Sequence, residues 1–148
     1  METVGGILKV QFPLNTEKIA DPELISPLAL AYLGDAVLEL YVRTSLVAQG
    51  QYKVNMLHKQ AVKFVNATAQ ANLLRDIEES LTEEELAVAK RGRNAKSGHV
   101  PKNAEMIDYR YSTGLETLIG YLFLKGRSER IREIFDRLQE MVGEETRK

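Results

Sequence analysis

The sequence predicts an all-α protein, and three observations predict it. Apolar residues recur at spacings of three and four through most of the 148 residues. Helix-start signals (Asp21-Pro22, Ser26-Pro27, and Thr82 with Glu85) stand ahead of those stretches. No alternation of apolar and polar residues runs long enough to support a strand. The length suits one domain with a real core rather than two.

Residues 1 to 23 mix Gly, Pro and short apolar pieces such as Ile7-Leu8, and read as an irregular arm. Asp21-Pro22-Glu23 and then Ser26-Pro27 each offer a cap followed by a proline. From Leu28 to about Val47 the residues are apolar on most faces, which predicts a central helix buried on several sides. Asn55 to about Leu74 reads as one helical segment, with Met56, Ala61, Val62, Val65, Ala69 and Leu73 at helical spacing. Thr82 and Glu85 form a capping box that opens a third helix, which ends near Gly92. Residues 92 to 102 hold Gly92, Gly98 and Pro101 and predict a loop. Asn103 to Phe123 is helical with a kink near Ser112-Thr113-Gly114. Ser128 to Val142 is an amphipathic helix that buries Ile131, Ile134, Phe135, Leu138 and Met141. Its charges read as solvated pairs, Arg132 with Asp136 and Glu133 with Arg137. The domain is thus 24–142, followed by a short tail, 143–148.

Twenty Lys and Arg against 21 Asp and Glu leave a formal charge of −1, so any nucleic-acid surface must come from local clustering. With no cysteine there is no disulfide framework and no thiolate site. His58 and His99 are too far apart to suggest zinc. No secretory leader and no apolar run of ~18 residues is visible, which predicts a soluble, cytoplasmic protein with no membrane partner.

Against that background, two apolar stretches carry acids. Pro27 to Val42 holds Asp35 and Glu39; Leu115 to Leu124 holds Glu116. A carboxylate among packed Leu, Val and Tyr costs several kcal/mol unless a cation, donors or a metal compensates it. No Lys or Arg lies between residues 19 and 42 or between 111 and 124. Glu39 has Arg43 four residues on. For Asp35 and Glu116, a shared divalent cation is the compensation the pattern suggests; the plainer alternative is that Asp35 bonds a neighbouring helix end. Gly34 and Gly120, inside the two stretches, mark close approach by another element.

A second feature is one-signed charge. Between Leu86 and Ala104 stand Lys90, Arg91, Arg93, Lys96, Lys102 and His99, with no acid. With Asn94, the five cations are candidate contacts to phosphate or 2′-hydroxyl oxygens; the alternative is a merely solvated loop. Tyr109 and Arg110, just upstream of Glu116, fit RNA contact and packing equally well.

Leu33-Gly34-Asp35 and Glu116-Thr117-Leu118-Ile119-Gly120 together resemble the paired signature of the ribonuclease III domain. Leu30-Ala31-Tyr32-Leu33-Gly34-Asp35-Ala36-Val37, Arg91-Gly-Arg-Asn-Ala-Lys96 and Tyr109-Arg110-Tyr111-Ser112-Thr113-Gly114 resemble its mini-ribonuclease III branch. The resemblance covers roughly residues 24 to 142. It implies an all-helical homodimer that cuts double-stranded RNA with Mg²⁺, with Asp35 and Glu116 as catalytic and metal-holding acids. It further implies maturation of large-subunit (23S) ribosomal RNA precursor; whether a ribosomal protein presents that substrate is left open. The chain departs from the full-length signature at Leu28, Ala31 and Thr113, where acids are expected, as the mini branch also does. Only six residues follow 142, so no separate RNA-binding domain is expected and the catalytic domain must hold RNA itself. The thin acid set motivates a rival, a non-catalytic dimer that binds structured RNA or a ribosomal particle; a blander one is a helical dimer with structural acids.

Overall fold

The computed structural model describes residues 2–4, 7–9, 14–19, 21–50, 52–96 and 105–146. Among the described residues six α-helices make up the fold: α1 Pro27–Ala48, α2 Val54–Val65, α3 Ala67–Ile77, α4 Glu83–Asn94, α5 Met106–Leu124 and α6 Ser128–Thr146. The all-α class expected from the sequence is the class observed. One small exception precedes it. Strands β1 (Glu2–Val4) and β2 (Ile7–Lys9) pair antiparallel within what was expected to be an irregular arm. A Gly-Gly dipeptide between short apolar pieces is itself a hairpin signal, and a search for longer alternation passes over it.

Both start signals ahead of α1 are used. Asp21 accepts from the Glu23 amide at 3.0 Å and caps a 3-10 turn, Pro22–Leu24. Ser26 then accepts from the Ala29 amide at 3.2 Å and starts α1. The single helix expected over 55–74 is two helices, broken at Asn66. The Asn66 amide donates to the Val62 carbonyl at 2.8 Å, and its Oδ1 accepts from the Ala69 amide at 2.8 Å. One side chain thereby serves the end of α2 and the start of α3. Helix α4 has its capping box, Glu85 to the Thr82 amide at 3.0 Å and Thr82 Oγ1 to the Glu85 amide at 3.1 Å. It continues to Asn94 rather than stopping at Gly92, because Gly92 is spent on helix packing instead of a turn.

Helix α5 is the axis of the fold. It is α-helical without a break through Ser112–Gly114, where a kink was expected; the Ser112 and Thr113 hydroxyls donate back to the Tyr109 carbonyl at 2.7 and 3.0 Å. From Ser112 to Leu122 every residue is buried except Glu116, which is half-buried. Helices α1, α3 and α4 pack around it, with α2 and α6 outside them. A glycine-capped turn follows: Gly126 (φ 72°) donates to the Phe123 carbonyl at 3.0 Å and Arg127 to Leu122 at 2.9 Å, which reverses the chain into α6.

Two expectations about burial change. Helix α1 buries one side (Leu30, Ala31, Gly34, Val37, Leu38, Val42, Leu46) but exposes the other. Tyr32 is 85% and Leu40 53% exposed, with Leu28 beside them. Nothing among the described residues covers that face, so α1 is not enclosed on several sides. Helix α6 buries Ile131, Ile134, Phe135, Leu138 and Val142, with Met141 half-buried. Its arginines reach across to other helices as well as along their own. Arg137 forks onto Asp76 of α3 at 2.7 and 3.0 Å, and Arg130 forks onto Glu85 of α4 at 2.9 and 3.0 Å. Glu133 pairs with Arg130, not Arg137. Among the described residues no helix is long and apolar enough to cross a membrane.

Candidate active site

The site begins with two glycines. A Cβ on Gly34 would lie 2.8 Å from the Glu116 carbonyl carbon and from the Gly120 amide nitrogen. A Cβ on Gly120 would lie 2.9 Å from the Leu30 carbonyl carbon. Helices α1 and α5 therefore cross backbone to backbone, which any side chain larger than hydrogen would forbid. That close crossing brings Asp35, next to Gly34, against Glu116.

Asp35 is exposed, contrary to the expectation that both acids lie inward; it stands at the edge of the uncovered face of α1. The cost falls on Glu116. Burial pushes its carboxyl up to about 9, and the hydrogen bond and charge of Asp35 push the same way. Every influence on Glu116 is therefore upward, which favours its protonated form. Two negative carboxylates so placed repel each other, and a divalent cation between them would relieve that repulsion. Among the described residues no third His, Cys, Asp or Glu joins them. Mg²⁺ is content with one or two carboxylates, its remaining positions going to water and phosphate oxygens. Glu39 takes Arg43 at 3.0 Å, as its spacing predicts, and stays outside the pair.

The basic residues divide. Lys90 is exposed. Arg91 is exposed but donates to the Ile25 carbonyl at 3.3 Å. Arg93 is half-buried: it pairs with Glu78 at 3.5 Å, donates to the Tyr111 hydroxyl at 3.3 Å and stacks on that ring, as Arg75 also does. Asn94 and Lys96 are exposed and line a groove of about 410 Å³ with Gly92, Ala95, Met106, Tyr109, Arg110 and Thr113. Lys102 lies outside the described residues. Thr113 precedes Glu116 by one helical turn, so the groove opens along the side of α5 that carries Glu116. Tyr109 and Arg110, undecided from sequence, are in this groove.

Sequence reasoning missed Thr117. It is 1% exposed, and its hydroxyl lies 2.7 Å from the Thr113 carbonyl and 3.1 Å from the Pro27 carbonyl of α1. A threonine inside an apolar helix run was the available signal.

The ribonuclease III domain family matches residues 28–127. The mini-ribonuclease 3 of Brevibacillus brevis is 56% identical over 118 residues, which cover 80% of this chain and 88% of that protein. Its counterpart in Thermoanaerobacter is 46% identical over 132 residues, 88% of this chain and 93% of that one. A crystallographically solved protein of Fusobacterium nucleatum superposes with a TM-score of 0.73 at 32% identity, covering 79% of this chain and 93% of its own.

Proposed function

Since the chain belongs to the ribonuclease III domain family, in its mini-ribonuclease 3 branch, we propose that Asp35 and Glu116 are the catalytic acids of a Mg²⁺-dependent enzyme. Its activity class is endoribonuclease, and the substrate we assign is double-stranded RNA. The observation that carries the assignment is the Asp35–Glu116 pair, acid against acid, with no cation among the described residues acting on Glu116.

Asp35 and Glu116 would hold the cation, which when bound supplies an activated water and charge for the leaving oxygen. Glu116 would have to be ionised to hold the cation, and the glycine crossing keeps α1 and α5 close enough for both carboxylates to share it. Lys96, Asn94 and Arg110 line the neighbouring groove and are suited to phosphate oxygens. Lys90 and Arg91 lie on the same helix end, and Lys102 further along the basic run. Arg93, tied to Glu78 and Tyr111, supports the groove from behind. A-form RNA hides its base edges from side chains, so grip through phosphates, 2′-hydroxyls and shape is the mode such a groove offers.

The uncovered face of α1, with Leu28, Tyr32 and Leu40, is where a second copy would sit. A two-fold dimer would set two acid pairs against the two strands of one duplex. The branch's resemblance to ribosomal-RNA maturation enzymes supports a stem of large-subunit (23S) precursor as the duplex, and a cytoplasmic setting.

Cleavage of a labelled duplex in Mg²⁺ tests this, parent against Asp35→Asn at matched folding. Cutting by the parent alone is the expected result. Binding without cutting by either would favour the RNA-binding alternative. Replacing Lys96 and Arg110 with Ala should flatten the salt dependence of duplex binding by nearly one unit of log–log slope per lost phosphate contact; an unchanged slope removes the groove from the interface.

A further inference from the structure

Helices α1, α4 and α5 supply the three parts of the proposed site: Asp35, the basic residues and Glu116. Thr117 is where all three meet. Its Oγ1 reaches the Pro27 carbonyl of α1 at 3.1 Å and the Thr113 carbonyl of its own helix at 2.7 Å. Gly92 of α4 packs directly on it, since a Cβ there would lie 2.6 Å from the Thr117 Cβ and 3.1 Å from the Gly114 Cα.

The crossing of α1 and α5 is made of glycine backbone, which sets how near the helices come. Glycines present no knobs, so they do little to stop one helix sliding or turning on the other. A hydrogen bond is directional and supplies that register. Thr117 is the residue after Glu116, and the tie it makes is to the first turn of the helix that carries Asp35. Two locally unfavourable choices converge on this one side chain: a back-bonding, β-branched threonine in a helix interior, and a glycine in the middle of α4. Such a convergence marks a place where position matters more than local stability.

We propose that Thr117 is a positioning residue whose hydroxyl holds α1 in register on α5, so that Asp35 and Glu116 meet at the separation a divalent cation needs. The proposal rests on the acid-pair reading above. Thr117 is 1% exposed, so its side chain acts through the two helices rather than on a bound ligand.

Thr117→Val keeps the shape and removes the hydroxyl; Thr117→Ser keeps the hydroxyl. Mn²⁺ binding, followed by electron paramagnetic resonance without RNA, is the first readout. The Val variant should bind roughly tenfold more weakly, the lower end of what losing an outer-shell support costs a metal site. The Ser variant should bind as the parent does. Hydrogen exchange over residues 27–34 in metal-free buffer is the second readout, and should quicken in the Val variant only. Duplex affinity in Ca²⁺ should change less than about twofold, because the groove residues are intact. If the Val variant does not fold, Thr117→Ala takes its place.

Equal Mn²⁺ binding by parent and Val variant overturns the proposal and leaves the acid pair standing. Equal weakening in Ser and Val shows that packing, not the hydroxyl, matters, and also overturns it. A parent that leaves Mn²⁺ free breaks the acid-pair reading itself, and the positioning role goes with it.

Discussion

Acids on the two sides of α5 are treated in opposite ways. Toward α6, Glu84 meets Arg127 at 2.6 Å and the Tyr121 hydroxyl at 2.7 Å, and its carboxyl is held down at about 2. Glu85, buried in the same turn, is lowered despite its desolvation by Arg130 and the Thr82 amide. Toward α1, Glu116 meets the carboxylate of Asp35 and is pushed up to about 9. The chain spends its arginines where carboxylates hold helices together. It withholds them where a carboxylate pair waits for charge from outside. That contrast separates the arginine-paired acids from the proposed catalytic ones better than burial does, since Glu85 is more buried than Glu116.

The largest effect that would break the contrast is catalytic. Glu116→Gln should cut the rate on duplex RNA by roughly 10³-fold or more, the scale of losing a preorganised electrostatic group, while the protein stays folded. A Gln variant that still cuts well would put Glu116 among the structural acids. The mirror experiment is Arg130→Met. It strands the buried Glu85 carboxylate and should cost about 3 kcal/mol in urea unfolding, with cleavage per folded molecule unchanged.

The pH dependence sharpens the comparison because the two regions have opposite signs. Folding raises the Glu116 carboxyl, so the folded state takes up a proton. Its contribution in EDTA is therefore most favourable below the ordinary value of 4.5 and falls as pH rises toward about 9. Glu116→Gln should remove that fall, for a gain of roughly 2 kcal/mol at pH 9 after allowance for solvent screening. Added Mg²⁺ should stabilise the parent there and leave the Gln variant unmoved. Folding lowers the Glu84 carboxyl, so its contribution is full above 4.5 and is lost as pH falls toward about 2. That pair is some 40% exposed on both sides, so Arg127→Met should cost less than about 1 kcal/mol at pH 7. Parent and variant should converge in acid; a constant difference would mean that packing, not charge, carries the effect.

Local chemistry made much of this fold readable. The capping box of α4, the proline starts before α1 and the apolar stripe of α6 depend on residues three or four apart. What stayed hidden depended on partners far along the chain. Asn66 capping two helices, Gly92 continuing a helix to make room for Thr117, and Arg137 choosing Asp76 over Glu133 are all tertiary outcomes. The site divides the same way. Asp35, Glu116 and their flanking glycines stand out as acids and small residues in apolar runs. Which of the cations face the groove did not, because Arg93 differs from Lys96 only in having Glu78 and Tyr111 within reach.

The glycine crossing also sets when the centre comes into being. Helices α2, α3 and α4 intervene between α1 and α5 in the chain, so nearly all of the domain must be synthesised before Gly34 finds Gly120. At about 5–20 residues per second, the interval between residues 35 and 116 lasts roughly 4 to 16 seconds. Throughout that interval the inner side of α1 lacks α5, the helix it packs against most extensively. A nascent or truncated chain that stops short of α5 therefore keeps Asp35 but lacks Glu116, and so has no acid pair at all.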